Sequence, residues 1–449
     1  GPLPRDQFER APESVFAGPT VVPGMPPRVV NPGPNVVRDE PRREASQTRV
    51  AARLTGEFGA HVLDAALGHA LTDDTFAFAI PSGIRETEGG DTTAVARYAF
   101  RPDAAAPLPL FEATASFAFG TADRSYFHNV AGDRGALFGA NDLEASTLAL
   151  FAGGHVPLGR GFTLSPGLAW ARATRDNDDV FAAATRPTIA FDPLAPTTRL
   201  PDGAVPAEDT SYSRRFSGFS PSLALSWRPS ERQLLFVAAS RSFEPPTHDD
   251  LLATTQGTPN SSPGRPRPGA PTGPGSAFAT PDLEAQTATT VEAGWRGGIG
   301  PLSVDAVVYH AWVEDELLTL RDEGGALLGA VNADETRHLG VELGLEAGHG
   351  PVTGRLAYTF QDLRFVDDPV RGDNELAGAP PHVLNLDVDW AVGDRVNLGG
   401  RLRWLAGETP VDNQNTLFRD PYATVDLRAS FRPTATVALF GEVRNLFDA

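Results

Sequence analysis

Residues 381–443 read PHVLNLDVDWAVGDRVNLGGRLRWLAGETPVDNQNTLFRDPYATVDLRASFRPTATVALFGEV, and each strand-like piece of this stretch alternates. Leu384, Leu386, Val388 and Trp390 share one face, while Val383, Asn385, Asp387 and Asp389 share the other. Next, Val396, Leu398, Leu402 and Trp404 oppose Asn397, Arg401 and Arg403. Val425, Leu427, Ala429 and Phe431 oppose Asp426, Arg428, Ser430 and Arg432, and Val437, Leu439 and Val443 oppose Phe440, Glu442 and Arg444. Side chains on a strand alternate with period two, so every piece has one apolar and one charged face. A soluble two-sheet sandwich also alternates, but it seldom carries Asp, Arg and Glu on the polar face of every strand with Trp or Phe ending the apolar one. A wall with lipid outside and water inside does.

The same scheme runs back through the chain. Alternating segments are expected near 48–59, 61–78, 94–101, 111–119, 144–156, 162–174, 219–228, 233–243, 288–297, 302–319, 338–347 and 352–365. With the four of the opening stretch this makes about sixteen strands, many of them long for soluble sheets. The expected connections alternate tight, long, tight, long. The polar segments at 81–92, 121–141, 176–216, 245–286 and 320–337 are read as long loops. Short turns on one side and long loops on the other are the pattern of a transmembrane antiparallel β-barrel, with the turns periplasmic and the loops extracellular. This orientation places both ends of the alternating region on the extracellular side, which predicts an incomplete barrel with strands lying outside this sequence. Residues 1–45 are rich in Pro and Arg and carry no period, so they read as an extended or disordered lead. Residues 46–449 are the barrel portion.

Composition agrees with this reading and narrows the function. No apolar run approaches the roughly 18 residues of a membrane-spanning helix. The 45 Gly and 40 Pro cluster between strands, as turns require. There is no Cys, which removes disulfides, thiolate chemistry and Cys-based metal sites. A net charge of −19 argues against a nucleic-acid partner, which needs a basic face. Arginine supplies all 38 fixed cations. Residues 1–4 lack the charged start and apolar core of a signal peptide. The nine histidines are scattered without metal-ligand spacing, and no Ser sits in a nucleophile elbow, so neither an enzyme nor a resident cofactor is expected.

Several stretches resemble the TonB-dependent outer-membrane receptors. Arg444-Asn445-Leu446-Phe447-Asp448 resembles the family's Asn-Leu-Phe-Asp signature before its last strand. Ser240-Arg241-Ser242-Phe243-Glu244-Pro245-Pro246 resembles a strand ending at an extracellular loop. The segments 283–294, 332–346 (with Gly340, Val341 and Glu342) and 377–382 resemble further strands in the family's order. The resemblance covers residues 221–449. It implies a barrel of about 22 strands, capture of a scarce bulky ligand such as a ferric siderophore, and import with inner-membrane energy through a TonB-type coupling protein. Cobalamin, pyrroloquinoline quinone and glycans are alternative substrates. The family's plug domain, which sits inside the barrel and engages the coupling protein, is not in this chain. Competing readings are a passive porin-like channel, an adhesin barrel, and a soluble β-rich secreted protein.

Candidate sites follow from this topology. His248, Asp249 and Asp250 stand at the start of a long loop, where carboxylates and imidazole can meet a small-molecule or metal-chelate ligand; the competing reading is a solvated loop. Asp176, Asp178 and Asp179 form an acidic cluster without EF-hand spacing. Arg265 and Arg267 lie in a Pro/Gly loop and can attract an anion or simply keep it soluble. The inward Arg401, Arg403, Arg428, Arg432, Asp387, Asp389 and Asp426 are expected to form cross-strand ion pairs, and the resemblance assigns them to a plug-facing lumen. Outward Trp227, Trp295, Trp390 and Trp404 are expected to anchor in outer-membrane lipid at the interfaces. His310 and Trp312, on an apolar face, read as structural.

Overall fold

A computed structural model describes residues 39–78, 83–103, 105–181, 209–252, 281–321 and 327–448, with short strand pieces at 19–20, 28–29, 185–188, 191–192, 195–199 and 203–206. Sixteen antiparallel strands follow one another around a barrel. They are β1 (Arg42–Phe58), β2 (His61–Ala77), β3 (Ile84–Phe100), β4 (Phe111–Val130), β5 (Asp133–Gly153), β6 (Phe162–Asp179), β7 (Tyr212–Ser230) and β8 (Gln233–Glu244). The second half comprises β9 (Gln286–Ile299), β10 (Leu302–Arg321), β11 (Leu327–His349), β12 (Val352–Phe365), β13 (His382–Val392), β14 (Val396–Ala406), β15 (Tyr422–Thr434) and β16 (Val437–Val443). A short piece, Val156–Gly159, continues β5 along β6 after a break at Gly154 and His155.

The register carries the face assignment around the wall. Leu386 pairs with Leu356 on one side and Leu402 on the other, while Asp387 pairs with Arg355 and Arg401. Apolar residues thus meet apolar residues on the outside, and ions meet ions within. Short turns close one end: Gly59, Gly300, Gly350 and Gly393 all have positive φ, which a Cβ would strain.

At the other end the strands are longer than the sequence suggested. The segments expected as loops at 81–92 and 121–141 are mostly strand, with β4 and β5 joined by Ala131 and Gly132 alone. Strands β6 and β7 extend into the expected 176–216 loop, and β10 and β11 take up most of 320–337. Strict tight–long alternation is therefore corrected: the outer connections 78–83, 131–132 and 322–326 are short, and the inner link at 101–110 is longer than any of the three. The physical reason is that a strand standing in water on both faces has no lipid side, so its apolar alternation vanishes while its hydrogen-bonded ladder continues. A membrane crossing needs only about 9–11 tilted residues. Strands of 17 to 23 residues in β1–β6, β7, β10 and β11 therefore project well beyond it. Strand β1 opens at Arg42, inside what reads as the lead.

The barrel order places β16 beside β1, but this seam differs from every other neighbour pair. All the others carry a residue-by-residue ladder; among the described residues none joins β16 to β1. Exposure agrees with the missing ladder, since β16 is exposed along its whole length and β1 at all but one position. Strands β16 and β1 are thus the two unladdered edges of the wall among the described residues.

Candidate functional site in the lumen and its outer mouth

The lumen face of β13–β15 gathers charge. Arg401 Nε donates to Asp387 Oδ1 at 3.0 Å, and Arg428 Nη1 reaches the same oxygen at 3.4 Å. Arg428 Nη2 spans both oxygens of Asp389 at 2.7 and 2.8 Å. Asp426 Oδ1 accepts the backbone N–H of Asn445 at 2.9 Å, which fixes the turn after β16. Arg403 lies opposite Asn385 in the register, and neither it nor Arg432 joins an ion pair among the described residues. These side chains are half in water, so each pair contributes little to stability and leaves polar surface available to whatever enters the lumen.

Across the barrel, the inner wall of β1–β6 is built from small residues. A recess of about 600 Å³ is lined by Gly68, Ala70, Ala118, Gly120 and Ala145, with Arg49, Asp91 and Arg175 at its rim. Arg175 is tied to the Ser146 and Thr174 carbonyls at 3.2 and 2.8 Å.

Above this recess the projecting strands form a polar mouth, and the loop after β8 folds back into it. Thr247 caps a single helical turn, α1 (His248–Leu251), through a capping box with Asp250. The Thr247 N–H donates to Asp250 Oδ2 at 2.7 Å, so Asp250 is spent on the cap. His248 is clamped between strands: Nε2 lies 3.0 Å from the Glu144 carbonyl and Nδ1 lies 2.7 Å from the Tyr212 hydroxyl. A carbonyl can only accept, so Nε2 carries the hydrogen and Nδ1 accepts from Tyr212. Burial holds His248 below its ordinary pKa, with Arg175 and Arg124 adding to the effect. Burial likewise pushes the Tyr212 and Tyr126 phenols up. Asp249 receives Arg124 Nη1 at 2.7 Å. Leu251 is fully buried against Leu283 and Ala330, with Tyr212 and Leu317 packed alongside. Thus α1 is a strut across the mouth, polar towards β4–β7 and apolar towards β10–β11, and the solvated-loop reading of 248–250 does not hold.

The acidic cluster at 176–179 resolves differently. Asp179 accepts from the Thr210 and Phe181 N–H groups at 3.2 and 3.0 Å and from the Thr210 hydroxyl at 3.0 Å. Asn141 and Asn177 extend this buried network at 2.9 Å. Among the described residues no grouping of metal-ligating side chains occurs. Arg265 and Arg267 lie outside the described residues.

Outward aromatics stand in two tiers. Trp227, stacked on Phe162 at 5.5 Å, lies near the short-turn end together with Trp295 and Trp390; Trp404 lies near the mouth. Trp295 Nε1 donates to Gln233 Oε1 at 2.6 Å. Trp170 and Trp312 join the upper tier, and the spacing of β6 and β10 already put both at strand positions. Arg85, Arg124, Tyr126 and Tyr212 escaped the sequence reading because all four fall in segments taken as loops. The period-two run Arg124, Tyr126, His128 on the inward side is the signal that was present.

A profile of the TonB dependent receptor-like β-barrel family matches residues 6–446. Among solved structures, the ferric yersiniabactin uptake receptor of Yersinia pestis superposes with a TM-score of 0.65 at 13% identity, covering 96% of this chain and 58% of that one. The ferric citrate transporter in its unliganded form gives 0.64 at 13% identity, covering 100% and 60%. A copper transporter gives 0.62 at 16% identity, covering 91% and 62%. At these identities the likeness is one of fold. The chain spans about six-tenths of the length of the receptors it matches.

Proposed function

The chain belongs to the TonB-dependent receptor-like β-barrel family of the outer membrane, and on that premise we propose that it is the wall of an active-transport receptor for a scarce, bulky ligand. A ferric siderophore is the first candidate, with the iron as cargo. The family is one of receptors and transporters rather than enzymes, and the chemistry assigned here is capture and passage, with no bond made or broken. The observation that carries the reading is the family match along nearly the whole chain.

Two features of the wall support it. The mouth holds an ordered strut, α1, among buried Arg and Tyr side chains, where a passive pore would keep a water-filled opening. The lumen presents half-solvated ions on β13–β15 and a small-residue recess on β2–β5, surfaces suited to a folded domain rather than to diffusing solutes. We assign both to a plug carried by the parent protein, which would engage a TonB-type coupling protein. Further strands of the parent protein would zip into the seam between β16 and β1.

The test is uptake by the parent protein in iron-starved cells lacking their other receptors, using labelled ferric siderophores, with cobalamin, pyrroloquinoline quinone and glycans as alternatives. Uptake that stops when the proton gradient is collapsed supports the reading. Uptake that persists without the gradient identifies a passive channel instead.

A further inference from the structure

One cluster in the mouth holds more positive charge than the carboxylates beside it answer. Arg85 on β3 and Arg124 on β4 both point inward at the projecting end, with side chains only 17% and 12% exposed. Arg85 Nε is buried and makes no hydrogen bond, and its nearest carboxylate, Asp74, is 4.0 Å away and already bound by Arg43 at 2.9 Å. Tyr126 lies fully buried beside the pair. The close acid for Arg124 is Asp249, which comes from α1 rather than from the wall and is 54% exposed. Three cations thus face two carboxylates, and one of those two stands on a four-residue turn.

Resting on the receptor reading above, we propose that Arg85, Arg124 and Tyr126 form an oxyanion-binding subsite in the mouth, filled at rest by the Asp249 carboxylate and taken over by a carboxylate of the incoming ligand. The exchange is one anion for another. Planar guanidinium groups bind carboxylates through paired N–H donors, and a polycarboxylate can meet Arg124 and the unused Arg85 Nε together, which Asp249 does not. Losing Asp249 from Arg124 frees the polar end of α1, leaving the strut held by His248 and Leu251. Ligand arrival and opening of the mouth are coupled in this way through a single shared partner.

The test uses the full chain in detergent with citrate as probe, binding followed by calorimetry and α1 by hydrogen exchange of the Leu251 and Leu252 amides, which bond to the Thr247 and His248 carbonyls. Asp249→Asn removes the resident counter-ion; a subsite held about nine-tenths of the time gains about tenfold in apparent affinity when released. Arg85→Gln weakens citrate about tenfold or more while leaving the Arg124–Asp249 contact in place. Citrate added to the unaltered chain speeds exchange at Leu251 and Leu252. Heat-modifiable migration on gels verifies that each variant is a folded barrel. The proposal is overturned if citrate fails to bind, if Asp249→Asn leaves its affinity unchanged or weaker, or if Arg85→Gln has no effect. Gradient-dependent uptake persisting in the Arg85→Gln parent protein would then leave the receptor reading standing without this subsite.

Discussion

Arg124 on β4 and Asp249 on α1 are 125 residues apart in sequence and 2.7 Å apart in space. This contact fastens the loop after β8 to the far side of the mouth. Arg124→Gln is expected to loosen α1 without unfolding the wall, since β4 keeps its ladders to β3 and β5. Because Asp249 is half in water, the loss is about 1–2 kcal/mol, or roughly a 5- to 30-fold gain in exchange at Leu251 and Leu252. Arg124→Lys should recover part of it.

The docking of α1 also depends on pH through His248. Its pKa is lowered by burial, and the groups facing it are Tyr212, Arg175, Arg124, Asp249 and the Glu144 carbonyl. Protonation therefore favours the undocked state. The stabilisation is fully present above the free-histidine value of about 6.5 and is lost as pH falls through the lowered folded value. Exchange at Leu251 and Leu252, corrected for intrinsic rate, should rise as pH falls below about 6.5. His248→Gln should abolish this pH dependence.

The two faces of β13 should tolerate charge unequally. Leu386→Arg places a cation on the outward face between Leu356 and Leu402 and should cost about 2–4 kcal/mol near the bilayer midplane. Asn385→Arg points into the lumen and should cost far less. Unfolding from lipid vesicles measures both, and equal costs would refute the face assignment.

A second small core holds the opposite side of the mouth. Phe365 is 1% exposed and packs with Ala333 and Leu376, the latter from the 366–381 connection. Phe365→Ala should cost about 3–5 kcal/mol, felt locally as faster exchange at Leu376, whose N–H donates to the Leu363 carbonyl at 2.9 Å.

Much of this wall is legible without coordinates where lipid imposes a contrast. Leu384, Leu386 and Val388 differ from Asn385, Asp387 and Asp389 because one side faces hydrocarbon, and that contrast marks strand, face and direction together. The ion pairs from Arg401 and Arg428 to Asp387 and Asp389 follow from the same register. Legibility fails at the mouth. Arg124 and Tyr126 continue β4 with the same backbone, but Thr121, Asp123 and Ser125 opposite them face water, so hydrophobic periodicity has nothing to report. His248 and Asp249 are visible as chemistry-bearing residues, yet their partners lie 36 and 125 residues away, Tyr212 at the mouth end of β7 and Arg124 on β4, and only the folding of the loop back across the mouth brings them together.

The central claim is a wall with lipid on one side and water on the other, and the absence of cysteine makes it directly testable. Single cysteines replace Leu384, Leu386 and Val388, or Asn385, Asp387 and Asp389, in this chain reconstituted into lipid vesicles. Each is treated with a lipid-phase and a water-soluble thiol reagent. The first set should react only from the lipid phase and the second only from water, alternating residue by residue. Equal labelling of both sets, or water access at Leu386, would contradict the barrel.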